Sequence, residues 1–325
     1  MRAFASRLGS AVFVLWVVVT LCFLMFRLMP GDPTLNYIEP TMTEEQRQAM
    51  LVAFGLERPL HEQYFIYLGN LLRGEFGQSF LHGRPVIEIV MEAFPLTLVL
   101  TLSALIVAYV FGVIAGAYLA WKRGSVLEGV AIPLVLATRA APEFWLGMIM
   151  LAAFAFGLQW FPSGGASSAG VEHASVLARI TSLDFLHHLV LPAATLALYL
   201  QGLPLLLMRS TMLEVMGDEF VTMARMKGLS EWTIIMRHAA RNALLPVATA
   251  FALGIGGSVG GNVVIETVFA WPGLGRTLVA AVQGADYPLA QGAFVLIAAV
   301  LVAMNFLADM LYGWLDPRVS HGRGN

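Results

Sequence analysis

Along this chain of 325 residues, polar positions are scarce and bunched, and the apolar intervals between the bunches predict the elements. Six intervals are long enough to cross a hydrocarbon core, near 9–29, 95–121, 130–158, 187–208, 243–268 and 290–314. A core of about 30 Å needs about 20 helical residues, and each interval supplies them. The expectation is an all-α membrane protein with six transmembrane helices. Arg2 and Arg7 precede the first interval, as in a signal peptide. That interval is too long, however, and it runs into Pro30-Gly31-Asp32 without a small-x-small cleavage site, so 1–29 reads as a retained anchor helix.

The polar bunches carry the rest of the organisation. Residues 30–94 form an external insert punctuated by turn residues at Pro30-Gly31-Asp32-Pro33 and Glu57-Arg58-Pro59. Within it Thr43 to Phe54 reads as an amphipathic helix, with Glu45 and Gln46 in its first turns. The insert lacks the apolar mass of an independent domain and is expected to cap the ends of the helices. Residues 95–316 then form the membrane core and 317–325 a tail, with further loops at 161–186 and 270–289 rich in Gly, Ser, Pro and Asp.

The bunch at 214–243 is different, because it is charged and yet patterned as helix. Asp218 and Glu219 open one helix, which breaks at Lys227-Gly228, and Ser230 caps a second that has Glu231 in its first turn. Arg237, His238 and Arg241 are expected to close the second helix, placing bases at its negative end. Phe220, Met223, Leu229, Ile234 and Ile235 give the pair apolar faces. One reading is an interfacial helix with its bases at lipid headgroups. The other is a knob for a groove in a soluble partner, which the glycine elbow and the acids Asp218, Glu219 and Glu231 favour.

Composition sharpens this picture. The chain is 58% hydrophobic and 12% charged, where a soluble domain carries about a quarter charged residues. A net charge of -2 gives no argument for nucleic acid, and the single Cys22 excludes an intramolecular disulfide and Cys-rich metal sites. No GxxxxGK[ST] occurs, so the chain is not itself a P-loop ATPase. Arg2, Arg7, Lys122, Arg123, Arg209, Arg225, Lys227, Arg237, Arg241, Arg318 and Arg323 all fall in loops on one side, against Arg179 and Arg276 in the opposite short loops. Both termini and 214–243 are therefore expected to face the cytoplasm.

Other constellations point to weaker possibilities. Gly256-Gly257-Ser258-Val259-Gly260 matches GxSxG, but it sits in mid-span without a neighbouring His or Asp, and a serine hydrolase is disfavoured. The overlapping pairs Gly256/Gly260 and Gly257/Gly261 read better as helix packing. Arg139 and Glu143, in ATRAAPEFW, lie four apart in the third interval and are expected to pair with each other, although Pro142 disturbs the spacing. The alternative is contact with a charged solute in the pore, a role for which Asn262 and Glu266 are further candidates. Glu266 is expected at the membrane interface. His173, His187 and His188 with Asp184 invite a metal reading, but adjacent histidines on a helix point apart, and no metal site is expected.

Glu219, Ala224, Gly228 and the later Leu244-Leu245-Pro246 resemble the EAA motif of permease subunits in bacterial ABC importers. ARMKGLSEWTIIMRHAARNALLP is similar to the form found in the dipeptide, oligopeptide and nickel permease family. So are GLERPLHEQYFIYLGNLLRGEFGQSF at 55–80, ETVFAWPGLGRTLVAAVQGADYPLAQG at 266–292 and LYGWLDPR at 311–318. The insert after the first helix resembles that of the first-type subunit. The resemblance implies the type I importer permease fold and a pore shared with a second homologous permease. It implies two cytoplasmic P-loop ATPases that bind ATP and Mg, no cofactor or catalysis in this chain, and a periplasmic or lipid-anchored binding protein. By that match Glu219, Ala224 and Gly228 are coupling residues. The solute stays open among di- and oligopeptides, nickel complexes and glutathione. A stand-alone secondary transporter or channel is the alternative, against which the absence of paired broken helices in two halves counts.

Overall fold

A computed structural model describes residues 2–28, 58–171, 174–258 and 262–315. In chain order the helices are α1 (Arg2–Leu28), α2 (Leu60–Leu72), α3 (Val86–Trp121), α4 (Val126–Ala140) and α5 (Glu143–Met150), the last continuing as a π-helical stretch Leu151–Gly157. They are followed by α6 (Val176–Ile180), α7 (Leu183–Leu200), α8 (Gly202–Val215), α9 (Glu219–Met226) and α10 (Glu231–Thr233). A π-helical stretch Ile234–Ala239 leads into α11 (Ala240–Ser258), and α12 (Val263–Val268), α13 (Leu274–Gln283) and α14 (Tyr287–Leu315) complete the chain. Among the described residues the only extended pairing is an isolated bridge between Gln78 and Pro85.

Five of these runs are long and apolar enough to span, at 6–27, 86–121, 183–200, 231–257 and 287–306, and a bent pair at 126–140 and 143–157 gives a sixth when counted as one span. Counted in that way the number equals the six of the sequence reading, but three of the intervals are built differently. The interval 130–158 is not one rod: it bends by 107° between α4 and α5. Its cause is local, because a residue before proline is pushed out of the α region, and Ala141 sits at φ -70 and ψ 142 ahead of Pro142. The interval 187–208 is divided at Gln201 between α7 and α8. The interval 243–268 loses its end to α12, a separate short helix whose cap Asn262 accepts a bond from the Ile265 amide at 2.9 Å. Predicted features at 30–57, including the Thr43 to Phe54 helix, lie outside the described residues, as do His173, Gly260, Gly261 and the tail.

The fold divides into two compact units. In the unit of Met1–Pro95 and Gly273–Leu307, Val86, Val90, Leu274, Leu278, Leu289 and Ala293 form the core. A polar knot organises one part of it. The fully buried Asp286 accepts bonds from Ser79 Oγ at 2.5 Å and the Leu81 amide at 3.1 Å, and caps α14 through the Leu289 amide at 3.2 Å. A buried carboxylate is tolerated only when its lone pairs are filled in this way.

In the unit of Leu96–Pro272 and Ala308–Asn325, one core cluster surrounds the buried rings of Phe185, Phe269 and Trp271, and Trp271 Nε1 donates to the Leu96 carbonyl at 3.1 Å. Glu266, expected at the interface, is instead fully buried here and accepts a bond from Thr97 Oγ1 at 2.7 Å. A second cluster joins α3, α8 and α11 through Met208, Met212, Ala239, Ala243 and Val247. Close approach of α3 to α8 depends on Gly112 and Gly116. A Cβ on Gly112 would lie 2.8 Å from Pro204, and one on Gly116 would collide with the Leu205 carbonyl. By contrast, a Cβ on Gly257 would meet nothing within 4 Å. Gly112 and Gly116 therefore form a small-residue packing site, whereas of the predicted glycines Gly256 is buried and Gly257 meets no described residue.

Candidate functional site

The charged bunch folds as a hairpin of short helices. Asp218 at φ -71 and ψ 152 precedes α9, and the helix stops at Gly228, whose φ of +77 only glycine adopts without cost. The Leu229 amide bonds the Ala224 carbonyl at 3.3 Å and the Gly228 amide bonds that of Arg225 at 2.9 Å. These are the two bonds of a Schellman motif, which satisfies carbonyls that a helix end leaves open. Because a Cβ at Gly228 would have open space around it, the requirement for glycine is conformational and not steric. Ser230 then caps α10 by accepting from the Thr233 amide at 3.3 Å.

The second helix does not close at Arg241. From Glu231 the chain stays helical through the π stretch and α11 as far as Ser258, so Arg237, His238 and Arg241 lie within a continuous run. The expected pairing of bases with a helix end is absent. Those bases punctuate the entry to an apolar span, which sequence pattern alone does not distinguish from a stop. A π turn at this junction admits one residue more per turn than α-helix, a feature common at functional sites.

The hairpin has two faces. Val221, Ala224 and Ile234 are buried against one another with Phe220 at their edge, and Arg225 closes the elbow by donating to Glu231 at 2.8 Å. The Glu231 carboxylate holds the Arg225 guanidinium pKa above its ordinary value. Glu219 and Gly228 are exposed, whereas Ala224 is buried in the hairpin's own small core. Outward stand Met223, Met226, Leu229, Trp232 and Met236, all exposed, with Met226 at 76%. Met226, Trp232 and Met236 were not among the predicted apolar positions. They lie on either side of the Gly228 turn, so no single helical period in the sequence links them. Trp232 also leans edge-on against Trp121 at the end of α3, with ring centroids 5.9 Å apart.

Arg139 and Glu143 do not form the expected pair. The bend places Arg139 in the last turn of α4 and Glu143 in the first turn of α5, where each charge opposes the helix end it occupies. Glu143 instead accepts from Asn262 Nδ2 at 2.8 Å, joining two of the predicted polar residues across the fold. Arg139 is exposed and packs beside Gly202. A nearby buried charge that sequence reading missed is Glu128, which accepts from Arg209 Nε at 2.7 Å and from the Gly124 amide at 2.6 Å. Its signal was present as Ser125 followed three residues later by Glu128, the spacing of a capping box.

His187 contacts the Trp160 carbonyl at 2.9 Å and His188 that of Asp184 at 2.8 Å, while the Asp184 carboxylate accepts from the Ser168 amide and hydroxyl. Among the described residues no group of three potential ligands is gathered.

Comparison with known proteins agrees with this architecture. Residues 108–321 match the family described as binding-protein-dependent transport system inner membrane component, and 1–101 match its N-terminal counterpart. The chain is 37% identical to the di/tripeptide transport system permease protein DppB of Pseudomonas aeruginosa, over 98% of both chains. It is 34% identical to the oligopeptide transport system permease protein AppB of Bacillus subtilis, over 95% of this chain and 96% of the relative. Identity to the dipeptide transport system permease protein DppB of Escherichia coli is 34%, over 97% of both. With its span-length helices and a match of this extent, the chain belongs to the family of binding-protein-dependent transport system inner membrane components.

Proposed function

We propose that this chain is a pore-forming subunit of an ATP-driven peptide importer and that the hairpin at 219–239 is where the ATPases engage it. The observation that carries the proposal is the outward face of the hairpin. Met223, Met226, Leu229, Trp232 and Met236 are exposed on an element whose charges are partly satisfied internally by the Arg225–Glu231 pair. Apolar side chains grouped on a charged, turn-rich element suit a protein groove, where flexible methionines and a tryptophan anchor contribute most of the contact.

In this reading Glu219 and Gly228 act at the docked surface, and Ala224 keeps α9 against Ile234. Closure of two cytoplasmic P-loop ATPases on ATP and Mg carries the hairpin with it, and the pore alternates between facing inward and outward. A second homologous permease completes the pore, and a periplasmic or lipid-anchored binding protein delivers the solute. Both termini face the cytoplasm, a reading that the distribution of Arg and Lys supports. Peptides are the proposed solute class because the relatives' names specify di-, tri- and oligopeptide transport. Arg139, Glu143 and Asn262 are the proposed polar contacts of the pore.

The deciding experiment compares the native complex with Trp232→Ala combined with Met226→Ala, and separately with Glu219→Lys, in proteoliposomes. The expected outcome is loss of the ATPases on purification, or ATP hydrolysis that persists without peptide uptake. Unchanged uptake with full ATPase retention would make the hairpin a lipid-lying element and remove the basis of the proposal.

A further inference from the structure

The unit formed by Met1–Pro95 and Gly273–Leu307 holds a cavity of about 270 Å³ between the end of α1, α2, the 75–80 loop and the start of α14. Its mixed lining includes the polar side chains of Arg27, Tyr67, Asn70, Glu75 and Gln291 beside Phe26, Ile66 and Phe76. Two of these present buried atoms with no hydrogen-bond partner, the Tyr67 hydroxyl and Gln291 Nε2. Native structures leave few such atoms unpaired, and those that remain commonly mark a missing ligand, ion or water. Arg27 adds a charge. It is half-buried and lies over the Phe23 ring at 5.8 Å, and among the described residues no carboxylate pairs with it. Tyr67 lies within side-chain hydrogen-bonding reach of Gln291 and within electrostatic reach of Arg27, so the three groups converge.

A guanidinium, a phenol and a primary amide share one capability, which is donation to an oxyanion. We infer that this cavity binds the phosphodiester of a membrane phospholipid headgroup, with Arg27, Tyr67 and Gln291 as its donors. A lipid is favoured over a free anion by the surroundings. Met25 on α1 and Phe65 and Leu72 on α2 stand exposed, at 64%, 69% and 90%, and give acyl chains an apolar surface on the same two helices that line the cavity. Glu75 at the lining supplies an acceptor for the ammonium of an ethanolamine headgroup. The inference is independent of the transport reading above.

The test uses the full chain, delipidated in detergent, with its unfolding temperature read during titration. The three probes are dioctanoyl phosphatidylethanolamine, dioctanoylglycerol, which has the same tails without phosphate, and inorganic phosphate. Only the phospholipid is expected to raise the midpoint with saturation, and Arg27→Gln should weaken its apparent affinity about tenfold or more, as loss of a charged hydrogen bond does. Tyr67→Phe should weaken it by several fold (roughly 3 to 10), because it removes one donor and leaves the ring in place. That variant keeps the test decisive should Arg27→Gln fail to fold. An equal response to dioctanoylglycerol overturns the headgroup site, an equal response to phosphate overturns its assignment to lipid, and unchanged affinity in Tyr67→Phe overturns the role of this cavity.

Discussion

The elbow at Ala141–Pro142 and the elbow at Gly228 both join short helices, and they are built on opposite principles. At Gly228 the turn is self-contained: a positive φ, two Schellman bonds and the Arg225–Glu231 pair are all supplied within the hairpin. At Pro142 the backbone turns because proline excludes α geometry before it, and the polar group beside the turn is held from elsewhere, by Asn262 at the start of α12. The first arrangement leaves Met223, Met226, Leu229 and Met236 exposed, with Trp232 alone of the outer face leaning on Trp121. The second ties α5 to α12, so a shift of either is felt by the other. A turn that satisfies itself suits a surface offered to another protein, whereas a turn satisfied across the fold suits an internal joint.

Substitutions test this contrast, and the largest effect is expected at Gly228. Gly228→Pro demands a φ near -65° and removes the amide bonded to Arg225, costing about 3 kcal/mol or more locally. Peptide uptake by the reconstituted complex should be lost while insertion of the permease, followed by membrane fractionation, persists. Next comes Glu143→Ala, which leaves Asn262 Nδ2 without its partner and should lower stability by about 1–3 kcal/mol in detergent melts. ATPase retention should not change, because the hairpin does not depend on that bond. Ser230→Ala removes the cap of α10 and should cost about 1 kcal/mol, seen as faster amide hydrogen exchange confined to 231–236. The smallest effect belongs to Arg225 and Glu231. A double-mutant cycle on this exposed pair should give less than about 1 kcal/mol and vanish in high salt. A large coupling energy there would mean that the elbow is held electrostatically and is less self-contained than its backbone bonds suggest.

Much of this was legible from residue pattern. Apolar intervals located the spans because lipid leaves a backbone little choice but helix, and the break at Lys227-Gly228 followed from glycine in a charged helical stretch. What escaped were consequences of non-local contact. Glu266 looks interfacial from its place near a span's end, and only the fold buries it against Thr97. Arg139 and Glu143 look like an i,i+4 pair until Pro142 separates them. Arg237, His238 and Arg241 look like a helix end, yet the helix continues because Ile235, Ala239 and Ala243 bury against α3 and α8. Gly112 and Gly116 carried the same spacing as the glycines at 256–261, and recognising them as a packing site required knowing which helix faces another.

The continuity from Glu231 to Ser258 has a mechanical consequence. A helical run of this length extends about 40 Å, with Pro246 inside it as the point where a bend is easiest. The π stretch Ile234–Ala239 sits near its Glu231 end and stores one extra residue in the winding. Were that turn to tighten to α-helical bonding, everything beyond it would rotate by about 100° with hardly any translation. The same run can therefore turn as well as bend, like a key whose bit is the row of side chains from Ala243 to Gly257.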